Sequence, residues 1–95
     1  MQFEWDENKN TINKRKHNIS FEKAIEVFLD NNADTVFDYS HSSYFEDRYR
    51  ITGLNKNRKL ISIIATIDNE FQTIRIISAR KASIKEELSY YGKDN

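Results

Sequence analysis

The spacing of apolar residues changes period along the chain, and each change marks an element. Phe3 and Trp5 lie on one side of an alternating stretch over 2–5, which predicts a short strand. Asp6 stands at the N-cap position of a helix over about 7–17 that is almost wholly polar. Ile12 is nearly its only apolar residue, and Lys9, Asn13 and Lys16 fall on one face. Such a helix is not held by its own amphipathicity, so it is expected on the surface, pinned by Trp5, Ile12 and Ile19. Ser20 caps a second helix, roughly 21–30, in which Phe21, Ala24, Ile25 and Phe28 recur at the spacing of a buried stripe, and Asn31-Asn32 stops it.

The period then drops to two. Thr35, Phe37 and Tyr39 alternate with Val36 and Asp38, and Tyr49, Ile51 and Gly53 alternate with Arg48, Arg50 and Thr52. Residues 59–67 are rich in β-branched side chains and suit a central strand, and over 73–80 Ile74, Ile76 and Ser78 alternate with Arg75, Ile77 and Ala79. Polar turns at Leu54–Arg58 and Asp68–Glu70 suit hairpins. Ser83 and Glu86 form a capping box that opens a helix with Ile84, Leu88 and Tyr91 on one face. The order β-α-α-β-β-β-β-α predicts an α+β fold: an antiparallel sheet of four to five strands, two N-terminal helices and a C-terminal helix, in a single domain over 1–95.

Composition narrows the function classes. The chain has 38% hydrophobic and 32% charged residues, as a globular domain has, and its 95 residues allow one core. It has no Cys, which excludes disulfides and thiol catalysis, and its two His leave little from which to build a metal site. No apolar run approaches membrane-spanning length and no signal peptide is visible, so no membrane partner and a cytoplasmic location are expected. The net charge is zero, but it is unevenly placed. Residues 9–17 carry Lys9, Lys14, Arg15 and Lys16 and no acid; residues 22–47 are strongly acidic; residues 48–59 carry Arg48, Arg50, Lys56, Arg58 and Lys59 and no acid. A mosaic of this kind holds local basic sites under a neutral total, or is simply a mixed, solvated surface.

Three segments in this order resemble the BrnT family of bacterial type II toxins. They are Phe3-Glu4-Trp5-Asp6-Glu7-Asn8-Lys9-Asn10, Lys16-His17-Asn18-Ile19-Ser20-Phe21-Glu22 and Arg75-Ile76-Ile77-Ser78-Ala79-Arg80-Lys81-Ala82, with a looser match at Arg48–Leu54. The likeness covers about residues 2–91. Two features depart from it: members are often more basic, and Lys23 replaces the family's capping Glu. The resemblance implies a RelE-like ribonuclease toxin. It also implies a BrnA-type antitoxin that silences the toxin and a complex that represses its own operon, with DNA contacted only through the antitoxin. A ribbon-helix-helix antitoxin is itself a dimer, so two toxins per antitoxin dimer are expected.

Metal-free RNA cleavage needs a base for the 2′-hydroxyl, cations for the charge developing on phosphorus, and an acid for the leaving 5′-oxygen. Arg suits the second role because its forked donors match phosphate oxygens. Arg80 ends a strand, at the sheet rim, and is the first candidate; the alternative is an arginine that pairs with Glu86 or Glu87 and orients the last helix. Arg48 and Arg50 share a strand face as a second catalytic candidate and a phosphate contact, unless they only pair with Glu46 and Asp47. Arg75 and Lys81 are further substrate contacts.

His17 is the candidate acid or base, at the end of the first helix, where a capping role competes. His41 lies in the polar loop Tyr39–Ser43, a place for an acid or a substrate contact or for a plain surface loop. Trp5 stacks on a base or plugs the core, and core is expected. No metal and no cofactor are expected. The two function classes are thus a metal-independent endoribonuclease toxin, with RNA as substrate, and a non-catalytic RNA- or protein-binding module in an operon-regulating complex.

Overall fold

The computed structural model describes residues 1–70 and 72–93. The elements run β1 (Gln2–Glu4), α1 (Glu7–His17), α2 (Phe21–Ala24) continued by a 3-10 turn (Ile25–Leu29), β2 (Asp34–Phe37), β3 (Tyr49–Leu54), β4 (Leu60–Ile67), β5 (Thr73–Lys81) and α3 (Ile84–Tyr91). This is the α+β order expected from the periodicity. The five strands form one sheet in the order β1-β5-β4-β3-β2. Consecutive strands β2 to β5 pair antiparallel, as short turns require, whereas β1 pairs parallel with β5, Phe3 opposite Ile74. The hairpin rule concerns neighbours in sequence. Two helical segments separate β1 from β2, and that length of chain lets β1 reach the far edge.

The core lies between one face of the sheet and the N-terminal helices. Phe21, Ala24 and Val27 pack on Ile51, Ile61, Ile63, Ala65, Ile74, Ile76 and Ala79. Trp5 sits at the edge of this cluster, its ring 6.0 Å from that of Phe21 and its Nε1 donating to Glu7, so it acts as a core residue.

Buried amides hold α1 in place, and Ile12, expected to pin it, is 59% exposed. Asp6 caps the helix as expected, and Asn18 ends it in the left-handed conformation that asparagine tolerates. Asn10 and Asn13 are the buried residues of α1. The Asn13 side chain donates to the carbonyls of Ile19 (2.9 Å) and Ala79 (2.8 Å) and accepts from the Ala79 N–H (3.1 Å). Strand β1 pairs with only Thr73 to Arg75 of β5, so the outer edge of β5 is open at Ala79. The Asn13 amide satisfies that edge as a neighbouring strand would. Asn10 likewise accepts from the N–H of Phe21 at 2.8 Å.

The second helix is α-helical only to Ala24 and then tightens into the 3-10 turn. It carries Val27 against β3, so close that a Cβ on Gly53 would stand 2.8 Å from Val27 Cγ1. The turn ends at Asp30, whose carboxylate accepts from the N–H of Leu54 and of Asn32 and from the Tyr90 hydroxyl.

The last helix turns its apolar stripe outward. Its capping box forms as read, but the stripe of Ile84, Leu88 and Tyr91 faces solvent and Tyr90 is the buried residue. Burial, then the hydrogen bond to Asp30, pushes the Tyr90 hydroxyl up to about 12.

Candidate functional site

The sheet face away from the core collects the arginines. Across β3, β4 and β5 the register sets Arg50 opposite Ile64, Thr52 opposite Ser62, Ser62 opposite Arg80 and Thr66 opposite Arg75. Ser62 and Thr66 are four apart on β4, so Arg80 and Arg75 share a face although they stand five positions apart. Simple alternation would put them on opposite faces. A bulge at Ile77 absorbs the odd residue, since Ser78 pairs with Ile64 and Ile76 with Ala65.

Helix α3 covers one end of this face, and Glu86 is its contact. The carboxylate takes two parallel hydrogen bonds from Arg80, Nη1 to Oε1 at 2.7 Å and Nη2 to Oε2 at 2.9 Å. It also pairs with Arg50 Nε at 3.2 Å and accepts from Ser62 Oγ (2.7 Å) and the Ser83 N–H (2.9 Å). Thr52 and Ser62 share a further hydrogen bond at 2.7 Å. The bonds from Arg80, reinforced by Ser83 and Ser62, overcome burial and hold Glu86 at about 2, while Glu86 in turn raises Arg80. The pairing of Arg80 with Glu86, one of the two alternatives for that residue, is therefore real. It leaves Arg80 two-fifths exposed at the rim, with Arg50 beside it.

Arg48 and Arg75 pair with other carboxylates. Arg48 Nε lies 2.8 Å from Glu46, and Arg75 Nη1 lies 3.5 Å from Glu4 on the neighbouring β1. An open groove of about 700 Å³ runs beside Arg75, between Tyr44 and Phe45 of the β2–β3 loop and Asp68 and Asn69 of the β4–β5 turn. Tyr44 and Phe45 are almost fully exposed.

His17 and Lys81 are not brought to this face. Lys81 pairs with the core residue Ile61, which turns it to the other side of the sheet from Arg80. His17 ends α1, and the two line a groove of about 480 Å³ with Arg58, Lys59, Glu87 and Tyr91. Asn18 takes the C-cap position there, its N–H donating to the Lys14 carbonyl.

The structure adds a pair that periodicity passes over. Asp38, just past β2, is buried, and its carboxylate accepts from the N–H and Oγ of Ser40 (3.1 and 2.8 Å), the N–H of His41 (3.2 Å) and Nδ1 of His41 (2.7 Å). Burial pushes Asp38 up, but the bonds from Ser40 and His41 outweigh it and the carboxyl lies below its usual range. The only mark in the sequence is Asp38-x-Ser40-His41, the pattern of an Asx-type turn. Among the described residues no group of three or more His, Asp and Glu stands close enough to hold a metal ion, and no helix is long and apolar enough to cross a membrane.

The family model described as "ribonuclease toxin, BrnT, of type II toxin-antitoxin system" matches residues 5–86. The crystal structure of the Brucella abortus ribonuclease toxin BrnT superposes with a TM-score of 0.66 at 27% identity, over 87% of this chain and 97% of that one. No curated protein gives a significant match. The family match spans strands β2 to β5 and both N-terminal helical segments, including Arg48, Arg50, Arg75 and Arg80, and the chain belongs to the BrnT family of ribonuclease toxins of type II toxin-antitoxin systems.

Proposed function

We propose that the protein is the toxin of a type II pair and cleaves RNA on the arginine-bearing face of its sheet, by metal-independent acid–base chemistry. The observation that supports this most is the convergence of Arg50, Arg75 and Arg80 on one face within a ribonuclease-toxin family. In this reading Arg80 and Arg48 stabilise the charge that develops on the scissile phosphate, and Arg50 and Arg75 hold flanking phosphates. Lys81, with His17 in the neighbouring groove, contacts the strand as it leaves the face. Tyr44 and Phe45 offer rings on which unpaired bases stack. The Glu86 carboxylate then keeps two closely spaced guanidinium groups in place before phosphate arrives, which lowers the cost of organising them at binding.

A BrnA-like ribbon-helix-helix antitoxin, two toxins to one antitoxin dimer, is the partner we propose. The outward stripe of Ile84, Leu88 and Tyr91 beside Arg80 and Lys81 supports a contact with both apolar and acidic side chains, which would cover the rim of the cleaving face. The decisive experiment uses purified protein and single-stranded RNA, with and without EDTA. Cleavage that persists in EDTA is expected. Activity lost in EDTA and restored by Mg²⁺ would remove the metal-independent mechanism, and RNA binding without cleavage would leave a binding module.

A further inference from the structure

We infer that His41, oriented by Asp38, is the proton-transferring side chain of the arginine face; this rests on the ribonuclease reading above and assigns its general base. The strand register places the pair there. Asp38 continues the alternation of Asp34 and Val36, which oppose Thr52 and Arg50, and its N–H donates to the Arg48 carbonyl at 2.8 Å. Asp38 is therefore on the same side as Arg50 and Arg80, and its charge is the smallest of the causes that raise Arg80, after Glu86. The loop that follows is pinned. Ser42 Oγ donates to the Asp38 carbonyl at 2.7 Å and accepts from the Arg48 N–H at 2.8 Å, and Ser43 bridges to Glu46.

The hydrogen bonds decide the tautomer. An ionised carboxylate can only accept, so the 2.7 Å contact requires the proton on Nδ1. Neutral His41 then carries its lone pair on Nε2, and its side chain is 56% exposed while that of Asp38 is 6% exposed. A buried carboxylate that fixes the ring and an outward basic nitrogen are the two parts a general base needs. Among the described residues no carboxylate pairs with the ring of His17. The charged groups around His41 are Asp38 in direct contact, the Arg48–Glu46 pair that closes the same loop, and Arg80 beyond Asp38.

The step balances without a further reagent. Nε2 takes the proton of an RNA 2′-hydroxyl, the 2′-oxygen forms a bond to phosphorus, and the bond from phosphorus to the 5′-oxygen breaks. The 5′-oxygen leaves as a hydroxyl with a proton from water or from the charged imidazolium, giving a 2′,3′-cyclic phosphate. The arginines hold the two non-bridging oxygens throughout.

The test compares wild type, His41→Gln and Asp38→Asn in single-turnover cleavage of one RNA oligonucleotide between about pH 5 and about pH 9. Wild type is expected to gain rate with rising pH along a limb that His41 supplies. His41→Gln should keep its melting temperature, lose roughly a hundred- to ten-thousand-fold in rate and lose that pH limb. Asp38→Asn should lose part of the rate through the wrong tautomer. In nitrogen spectra of wild type, the His41 Nε2 signal should shift when an uncleavable 2′-deoxy oligonucleotide binds. A folded His41→Gln variant that cleaves like wild type with the same pH limb overturns the assignment and leaves the ribonuclease reading standing. Wild type that cleaves no RNA at any pH overturns both.

Discussion

Arg80 and Glu86 meet through two parallel hydrogen bonds, 2.7 and 2.9 Å long, although one ends a strand and the other lies in the first turn of the next helix. The same carboxylate closes the capping box on Ser83 and holds Arg50. One side chain thus fixes a helix start and the spacing of two guanidinium groups.

The pair makes stability depend on acid. Glu86 is depressed from 4.5 to about 2 in the folded protein, so its contribution is complete above its unfolded value and is lost as pH falls from about 4.5 towards 2. The loss should be on the order of 2 kcal/mol, after allowing for the exposed side of Arg80. Urea melts of wild type and Glu86→Gln should converge at low pH and separate at neutral pH. Parallel profiles would show that Glu86 is not the titrating group.

Tyr90 sets the opposite limit. Its folded value is raised to about 12 from 10, so the protonated hydroxyl stabilises the fold fully below the unfolded value and progressively less as pH rises from about 10 to about 12. Tyr90→Phe leaves Asp30 still bonded to Leu54 and Asn32 but removes this alkaline dependence. It should cost roughly 1 kcal/mol at neutral pH by thermal melting.

Arg80→Ala should lower RNA cleavage by roughly a hundred- to a thousand-fold, the cost of a charged contact made mainly in the transition state, and Arg48→Ala should lose less. Arg80→Lys keeps the charge but not the fork on Glu86, so it should recover only part of the rate. A folded Arg80→Ala variant with normal cleavage would restrict Arg80 to positioning α3.

Asn13→Ala should destabilise the chain by about 2–4 kcal/mol, because it strands the Ala79 N–H and carbonyl at an open sheet edge together with the Ile19 carbonyl. Ile12→Ala, at an exposed position, should shift the melting temperature little. The reverse ranking would mean that α1 is held by its apolar contacts after all.

Leu88→Glu tests the antitoxin surface. The side chain is 69% exposed, so the free toxin should fold and cleave as before while its affinity for the antitoxin falls at least about tenfold, measured by titration calorimetry. Unchanged affinity would move the contact away from α3.

Local rules carried much of the fold. Asp6, Ser20 and Ser83 cap their helices as the sequence predicts, period-two alternation locates β3 and β5, and β-branched richness locates β4, because capping, alternation and propensity depend only on neighbours in sequence. The shared face of Arg75 and Arg80, five positions apart on one strand, was not legible, because a bulge brings them into register. Periodicity named the stripe of α3 but not its direction. Ile84, Leu88 and Tyr91 turn outward because Tyr90 finds Asp30 and Glu86 finds Arg50 as well as the nearby Arg80, and Asp30 and Arg50 lie far away in sequence. Asn13 was a polar residue on a polar helix until tertiary structure set it against the open edge of β5. His41 was a loop residue until the fold buried Asp38 beneath it. Residue type and spacing determine which elements form and which chemistry is present. Which polar groups meet is decided only when distant segments pack, since a buried donor or acceptor must find a partner wherever the fold supplies one.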